Sequence, residues 1–308
     1  MSVTPLPTGL RFQSGESELD AVRSRIEQCL SGLVPEETVW PRALHRAQRH
    51  ALLSPGKRFR PLLTVFLTRG CGAPPAMVDA SVEVGCVIEM VHAASLILDD
   101  LPCMDDAQLR RNQPTTHVAF GESTAILSAT ALLNRAFGVL ARNKALSAEQ
   151  RVELCDLLAY AVGSTGLIAG QMADLDNSGE ASVAEVERVN RLKTGALFDF
   201  ASDAAAVMAG SDAAQRSALK DFSRQIGLAF QLLDDLKDAL QDAAASGKSA
   251  NRDAGKTTLL ALDGLDDAKS RLRGYMDGAR TALDRAGLQN AAQIAAVIEA
   301  QFAFLNSV

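Results

Sequence analysis

The sequence predicts an all-α protein, and three observations lead to this fold class. Aromatic residues are only 5% of the chain, and long stretches are rich in Ala, Leu, Glu, Arg and Gln, which favour helices over strands. Apolar residues recur at helical spacing along most of the 308 residues. No change in composition and no internal repeat divides the chain. We therefore expect one helical domain over residues 18–308, preceded by a loose polar tail at residues 1–17.

Ten segments of the chain show the apolar spacing of a helix. Residues that end helices, above all Gly, Pro, Asn and Ser, separate them. The clearest breaks are Ser54–Lys57, Gly70–Pro75, Asn112–His117 and Asp176–Ser182. In chain order the predicted helices are Glu18–Leu33, Pro41–Leu53, Pro61–Arg69, Met77–Asp100, Ser123–Arg142, Ala148–Ala173, Val183–Ala209, Asp212–Asp242, Asp266–Ala286 and Ala291–Phe304.

One further break differs from the others in length and charge. Residues Asp242–Thr258 read "DAAASGKSANRDAGKTT", with small residues throughout and Lys248, Arg252 and Lys256 spaced along them. This composition is typical of a mobile basic loop, although a solvated linker with incidental charge explains it equally well.

Charge and cysteine usage limit the classes of function. The formal net charge is −6 and the chain has no long basic run, so nucleic acid is not an expected partner. The five cysteines are scattered without a CxxC pair, which argues against disulfides and zinc and favours the reducing cytoplasm. We expect no signal peptide, because residues 1–20 are polar and contain no apolar core. We expect no transmembrane segment, because the most apolar stretch, Val84–Leu98, is short and contains Glu89 and His92.

The first acidic cluster follows that apolar stretch. Residues Leu96–Arg111 read "LILDDLPCMDDAQLRR", with four aspartates within eight positions. Asp99 and Asp105 are six residues apart, which an unbroken helix would place about 240° apart in azimuth. Pro102 breaks the helical hydrogen bonding and would let the chain return Asp105 towards Asp99.

A second acidic cluster, "FQLLDDLKDAL", has the same character. Asp234 and Asp238 lie on one helix face with Asp235 beside them, and three like charges this close destabilise a helix unless a cation binds them. Oxygen ligands without cysteine favour Mg²⁺, which usually shares its shell with substrate phosphates. We therefore expect magnesium ions that hold a phosphorylated ligand. Solvated carboxylates are the alternative, and a calcium loop is disfavoured because the DxDxDG spacing is missing.

Basic residues follow at positions suited to a second diphosphate. "SPGKRFRP" places Lys57, Arg58 and Arg60 at a turn just before a helix, where backbone amides also favour anions. Arg110 and Arg111 directly follow the first acidic cluster. His92 precedes Asp99 by seven residues, which is two helical turns and nearly the same face, although a single histidine on an apolar helix is as easily a core residue.

Together these motifs resemble the trans-isoprenyl diphosphate synthases, most closely the bacterial carotenoid-type geranylgeranyl diphosphate synthases. The resemblance covers roughly Leu53 to Leu262. The motifs appear in that family's order: "GKRFRP", "EMVHAASLILDDLPCMDDAQLRR", "QPTTH", "GQMADL", "KTGALF", "AFQLLDDLKD" and "DAGKTTL". The resemblance implies a bundle of antiparallel helices around a deep central cavity, a homodimer, and three Mg²⁺ ions.

The resemblance also implies roles for individual residues. The metal ligands would be Asp99, Asp100, Asp105, Asp234, Asp235 and Asp238, and the catalytic set Asp99, Asp105, Asp234, Lys193 and Arg110. The allylic diphosphate would be bound by Arg110, Lys193, Thr194, Gln231 and Lys248. Isopentenyl diphosphate would be bound by Lys57, Arg60, His92 and Arg111. Three positions depart from the family pattern, since Pro55, Asn112 and Asn251 replace usual glycines.

The product is expected to depend on side chains that precede Asp99 on its helix. Ala94 and Ser95 occupy the fifth and fourth positions before it, where shorter-product members often carry an aromatic residue, and Met90 and Val91 lie one turn deeper. A small Ala94 predicts the C20 product, geranylgeranyl diphosphate. The alternatives are a C15 farnesyl diphosphate synthase, a terpene cyclase of the same fold, which would not need Lys57, Arg60 and His92, and a catalytically silent partner subunit.

Overall fold

Helices form nearly all of the regular structure, so the all-α prediction is confirmed. The computed structural model describes residues 17–176, 182–245 and 258–303. The elements are α1 (Glu18–Leu33), α2 (Arg42–Leu52), α3 (Phe59–Gly70), α4 (Pro75–Asp99), β1 (Leu109–Arg110), β2 (Gln113–Pro114), α5 (Thr116–Phe120), α6 (Glu122–Arg142), α7 (Ala148–Val162), α8 (Leu167–Leu175), α9 (Val183–Asn190), a π-helical turn (Arg191–Gly195), α10 (Ala196–Ala209), α11 (Ala213–Ala245), α12 (Leu259–Asp263), α13 (Leu265–Ala286) and α14 (Ala291–Phe302).

One predicted helix is interrupted, and the prediction of a single continuous helix there is wrong. The segment Ala148–Ala173 divides into α7 and α8 at a turn that includes Gly163 and Gly166. A Cβ atom on Gly166 would lie 2.2 Å from the carbonyl oxygen of Ala161, so this turn requires glycine. The segment Val183–Ala209 is helical throughout, as predicted, but residues Arg191–Gly195 form a π-helical turn within it. The elements α5, α12, β1 and β2 were not predicted because two to five residues show no periodicity.

Backbone contacts divide the chain into two compact units. Of the described residues, unit 1 contains those of 17–156, 204–211 and 289–303, and unit 2 contains the rest. The single-domain boundaries at 1–17 and 18–308 stay a prediction, and residues 1–16 of the predicted tail lie outside the described residues.

Helix α4 is the central element of unit 1. It packs against α1, α2, α3 and α6, and its apolar residues are buried along most of its length. Gly85 allows the closest approach to α3, because a Cβ atom there would lie 2.9 Å from the Cα atom of Pro61. The last turn of α4 is held firmly in this core and carries Asp99 at its end.

Unit 2 is built on α11, which packs along α13 and against the π-helical turn, α9 and α12. Its core includes fully buried Phe198, Phe222 and Ile226, and the Phe198 and Phe230 rings lie 5.4 Å apart between centroids. Helix α8 packs against the π-helical turn. This contact positions the lysine and threonine of the "KTGALF" motif.

Three helical stretches of the described chain are long and apolar enough to cross a membrane when judged by length and composition alone. They are α4, α6 and the stretch Ala148–Leu175. In α4, 72% of the most apolar window is buried inside the protein, as in a core helix. The expectation of no transmembrane segment stays a prediction.

Candidate active site

The first acidic cluster folds back on itself in unit 1. The backbone N–H of Asp105 donates to the carbonyl oxygen of Asp99 at 2.9 Å, and that of Asp106 donates to Leu101 at 3.1 Å. Asp106 adopts a left-handed φ of 46°. The return of Asp105 to the end of α4, which Pro102 predicts, is confirmed.

Asp100 has a different task from its neighbours. It is 3% exposed and accepts three hydrogen bonds from the guanidinium of Arg110, at 2.7, 2.8 and 3.0 Å. Burial alone would lower the pKa of Arg110, but the bonds to Asp100 and the attraction of Asp99 and Asp105 raise it. The carboxylate of Asp100 therefore fixes an arginine in this structure, and its assignment as a metal ligand stays a prediction.

Arg58 is paired with carboxylates rather than left available to a ligand. It is 3% exposed, with a left-handed φ of 51°. Its guanidinium donates to Glu27 at 2.7 and 3.2 Å, to Glu89 at 3.0 Å and to the carbonyl oxygen of Ser54 at 2.9 Å. Because two carboxylates neutralise its charge, Arg58 organises the turn, contrary to the expectation that it would help to neutralise a diphosphate.

The other basic residues of unit 1 gather around His92. The pKa of His92 lies well below its usual value, because burial and the positive charges of Arg60, Arg111, Arg110 and Arg58 disfavour protonation. Because Glu27 and Glu89 pair with Arg58, and Asp100 pairs with Arg110, the net positive charge of this site comes mainly from Arg60 and Arg111. A diphosphate is the kind of ligand that such a site favours.

Arg111 joins this site to the basic turn. Its Nη1 atom donates to Ser54 Oγ at 3.0 Å, and a Cβ atom on Gly56 would lie 3.1 Å from the same nitrogen. Lys57, the next residue, is exposed and donates through Nζ to the carbonyl oxygen of Gln301 at 3.3 Å. The "GKRFRP" turn and the "RRN" segment are thus in contact, as a shared anion site requires.

The predicted chain-length residues lie on the last turns of α4. Ala94, Met90 and Val91 are fully buried. Ser95 is only partly buried, and its hydroxyl donates to the carbonyl oxygen of His92 at 2.9 Å. Of these four residues, Ser95 is therefore the one that, like His92, is partly exposed.

The π-helical turn of unit 2 presents Lys193 and Thr194. Lys193 Nζ lies 2.8 Å from a carboxylate oxygen of Asp174 on α8. Thr194 Oγ1 donates to Gln231 Oε1 at 2.7 Å, and Gln231 Nε2 donates to Asp235 at 2.9 Å. A chain of hydrogen bonds thus runs from the "KTGALF" motif to the second acidic cluster. Asp234, beside it, accepts from Lys237 at 3.2 Å.

Two residues of the "GQMADL" motif support this arrangement, and sequence reasoning assigned them no role. Asp174 holds the Lys193 ammonium. Gly170 allows α8 to touch the turn, because a Cβ atom there would lie 2.3 Å from the backbone nitrogen of Lys193. The motif itself was the available signal, but its contact with the "KTGALF" motif was not visible in the sequence.

The chain matches the polyprenyl synthetase family over residues 41–297. It belongs to this family. It is 41% identical to the geranylgeranyl diphosphate synthase of Pseudescherichia vulneris over 229 residues, 73% of each chain. It is 44% identical to that of Pantoea ananas over 193 residues, 62% of this chain and 64% of that one. The farnesyl diphosphate synthase of Geobacillus stearothermophilus is 39% identical over 228 residues, 73% of this chain and 75% of that one.

Solved structures agree with this family assignment. An FPP/GFPP synthase from Zymomonas mobilis superposes with a TM-score of 0.76 at 37% identity, covering 86% of this chain and 91% of that one. A geranyltransferase from Helicobacter pylori, complexed with magnesium and isoprenyl diphosphate, gives 0.79 at 29% identity, covering 96% and 100%. The bundle fold and trans-prenyltransferase activity predicted from the motifs are confirmed.

The donor set of this polyprenyl synthetase family member fits magnesium. Within the described residues, no group of three or more His, Cys, Asp and Glu side chains forms a self-sufficient metal site. Mg²⁺ does not require one, because it takes one or two carboxylates and completes its shell with water and substrate phosphates. Asp105 and Asp234 offer oxygens that remain partly or fully accessible.

Some predicted site residues lie outside the described part of the chain. Lys248, and the loop residues Asn251 and Lys256, belong to residues 246–257. Asp238 lies in α11, but its side chain is outside the described structure. The roles assigned to Lys248 and Asp238 stay predictions.

Proposed function

We propose that this polyprenyl synthetase is a Mg²⁺-dependent geranylgeranyl diphosphate synthase that condenses isopentenyl diphosphate head to tail with allylic diphosphates. The observation that carries the proposal is the positive site around neutral His92, which adjoins the Asp99–Asp105 return. A terpene cyclase would need acidic residues but no second cationic site. The relatives that are geranylgeranyl diphosphate synthases support the C20 product.

The allylic diphosphate is proposed to bind at the acidic clusters and the π-helical turn. Bound Mg²⁺, three ions in this proposal, would supply positive charge to the departing diphosphate. Asp99 and Asp105, and separately Asp234, Asp235 and Asp238, are its proposed ligands, with Asp100 acting through Arg110. Substrate oxygens would be held by Arg110, Lys193, Thr194, Gln231 and Lys248.

Isopentenyl diphosphate is proposed to bind to Lys57, Arg60, His92 and Arg111. Arg60 and Arg111 supply fixed positive charge, and Lys57 would exchange its bond to the Gln301 carbonyl for a phosphate oxygen. In the reaction the allylic C–O bond breaks, and the double bond of isopentenyl diphosphate forms the new C–C bond. A proton then leaves the neighbouring carbon, and by family analogy the released pyrophosphate accepts it.

The C20 product follows from small and buried side chains before Asp99. Ala94 and Ser95 leave no aromatic barrier at the level where short-product enzymes carry one, and Met90 and Val91 lie about 6 Å deeper on the helix. A C15 product remains the second candidate because the Geobacillus relative is a farnesyl diphosphate synthase.

The working enzyme is proposed to be a cytoplasmic homodimer. On α6, Ile126 is 45% exposed and Leu127 is 61% exposed, and a second copy of this chain would cover them. Light scattering on purified protein would give twice the 32.6 kDa chain mass, and Leu127→Glu would shift it towards one chain. If the variant is still a dimer, the interface does not include Leu127. The cytoplasmic location rests on the unpaired, scattered cysteines.

The first test is turnover with Mg²⁺, labelled isopentenyl diphosphate and, in separate reactions, the C5, C10 and C15 allylic diphosphates. We expect a C20 product from each starter. A product that stops at C15, with the C15 starter unused, would establish farnesyl diphosphate synthesis instead. No product from any starter would leave the silent-subunit alternative, which mixing with an active synthase would then test.

A further inference from the structure

The side chain of Gln171 presents an unsatisfied amide in the interior of unit 2. Its Nε2 and Oε1 atoms are both buried, and neither has a hydrogen-bond partner among the described residues. Leaving buried polar atoms unpaired costs about 1 to 3 kcal/mol for each group. A bound ligand that supplies the missing hydrogen-bond partners would explain why this amide is retained in the interior.

The position of Gln171 relates it to the proposed allylic site. It precedes Asp174 by three residues on α8, so the two side chains project from neighbouring positions of one helix face. Asp174 reaches Lys193 Nζ at 2.8 Å. Gly170, the residue before Gln171, lies against the backbone of Leu192 and Lys193. Gln171 therefore lies on α8 between two residues, Gly170 and Asp174, that contact the π-helical turn.

A second glutamine in unit 2 shows what a satisfied amide looks like. Gln231 accepts from Thr194 Oγ1 at 2.7 Å through Oε1 and donates to Asp235 at 2.9 Å through Nε2. Both of its polar ends are thus occupied by protein groups. Gln171 lies on α8, which packs against the same turn, and its amide has no such partners in the described chain.

We propose that Gln171 is a further substrate-binding residue, whose amide NH2 donates to an oxygen of the allylic diphosphate held by Lys193. This inference rests on the proposed function, because it needs an anionic ligand at the π-helical turn. The NH2 end is the one that such a ligand requires, since diphosphate oxygens only accept hydrogen bonds. The contact adds a neutral donor beside the Lys193 ammonium without adding charge.

The deciding variant is Gln171→Met, which keeps the length of the side chain and removes both polar atoms. If the amide contacts substrate, kcat/KM for the allylic diphosphate falls about 10-fold to 100-fold, as for loss of a hydrogen bond to a charged group. KM for isopentenyl diphosphate stays within about twofold. The unfolding midpoint of the free enzyme stays the same or rises, because an unsatisfied buried amide has been removed.

Gln215→Met is the matched control. Gln215 Nε2 donates to the carbonyl oxygen of Ala286 at 3.0 Å, so this glutamine already has a structural partner in unit 2. Its replacement should lower the unfolding midpoint and leave both kinetic constants unchanged. Gln171→Met is thus expected to change the kinetics without lowering stability, and Gln215→Met to lower stability without changing the kinetics.

Three outcomes would overturn the proposal. Gln171→Met with wild-type kinetics would make the amide irrelevant to substrate, and an equal loss towards both substrates with a lower unfolding midpoint would make it structural. If Gln171→Met does not fold, Gln171→Glu replaces it. Calorimetry with an unreactive thio-analogue of the allylic diphosphate should then show at least about 10-fold weaker binding, and wild-type affinity would reject the contact. An inactive wild type that still binds the analogue would reject the proposed function alone.

Discussion

Arg110 holds the carboxylate of Asp100 through three hydrogen bonds, at 2.7, 2.8 and 3.0 Å. Because Asp100 follows Asp99 directly, we expect two adjacent aspartates of one motif to have separate tasks. Asp100 is buried and fixes the direction of a guanidinium, while Asp99 lies where the chain returns at Asp105. Adjacent residues on a helix end point about 100° apart, which makes this division of tasks possible.

The two aspartates should therefore differ in their dependence on magnesium. Asp99→Asn is expected to shift the Mg²⁺ concentration for half-maximal rate at least about tenfold upward. Asp100→Asn should leave that concentration unchanged and lower kcat/KM for the allylic diphosphate about 10-fold to 100-fold, because Arg110 loses a charged partner. Initial rates over a Mg²⁺ titration separate the two effects. Equal shifts in Mg²⁺ dependence would mean that Asp100 is itself a ligand.

Arg58 should matter for stability before it matters for substrate. Arg58→Met leaves Glu89 buried without its partner, and breaking a buried ion pair in this way costs about 3 to 5 kcal/mol of unfolding free energy. KM for isopentenyl diphosphate should also rise, because the turn that carries Lys57 and Arg60 loses its anchor. Urea unfolding measures the first effect.

The control for Arg58 is a surface ion pair. Arg23 bonds Asp20 at 2.7 Å, but both side chains are substantially solvent-exposed, so Arg23→Met should cost less than about 1 kcal/mol. Adding Glu89→Gln to Arg58→Met should recover part of the lost stability, since the unpaired charge is then removed. If Arg58→Met and Arg23→Met unfold at the same urea concentration, the Glu27–Arg58–Glu89 cluster contributes no more stability than a surface ion pair.

Gly170→Ala tests the contact between α8 and the π-helical turn. The new methyl group would lie 2.3 Å from the Lys193 backbone nitrogen and 2.7 Å from the carbonyl carbon of Leu192, so the backbone must move. We expect a loss of about 1 to 3 kcal/mol in stability and a clear fall in turnover, because Lys193 and Thr194 move with it. Thermal unfolding and initial rates measure both.

Gly274→Ala is the matched substitution, because Gly274 lies within α13 and a Cβ atom there meets nothing within 4 Å. An alanine in such a helix position should stabilise the protein by about 0.5 to 1 kcal/mol and leave turnover unchanged. If Gly170→Ala and Gly274→Ala have the same stability and turnover, the tight packing at Gly170 does not position Lys193 and Thr194.

Sequence reasoning reached the parts of the site that depend on local chemistry. Pro102 predicts the return of Asp105, because proline acts on the residues next to it. The pairing of Arg58 was out of reach, since Glu27 and Glu89 each lie 31 residues away along the chain. The π-helical turn was also missed, because it is one turn inside a continuous helix and apolar spacing does not distinguish it from an α-helical turn.

His92 should make the protein less stable in mild acid. Its pKa is lowered in the folded state, so below about 6.5 the unfolded chain takes up a proton that folded His92 does not. Stability is then lost as the pH falls through this range, by at most about 1.4 kcal/mol per pH unit for one proton. Burial is the largest cause of the lowered pKa of His92, and the positive charges of Arg60, Arg111, Arg110 and Arg58 add to it.

His92→Gln removes this one histidine, and the wild type and the variant both retain His45, His50 and His117. The stability of the wild type relative to the variant should therefore fall between pH 7 and pH 5, measured by urea unfolding at each pH. A difference that does not change with pH would show that neither burial nor the arginines shift the pKa of His92.

Product length should respond to aromatic side chains on the last turns of α4. Ala94→Tyr is expected to shorten the product from C20 towards C15, and because Ala94 is fully buried it should also cost about 1 to 3 kcal/mol through overpacking. Ser95→Tyr should shorten the product at a smaller cost, since Ser95 is only partly buried and is about 40° from Asp99 around the helix. Product chain length after dephosphorylation decides between them. If both variants still give C20, the barrier that limits the chain lies on another element, and Met90 and Val91 lose their proposed role as well.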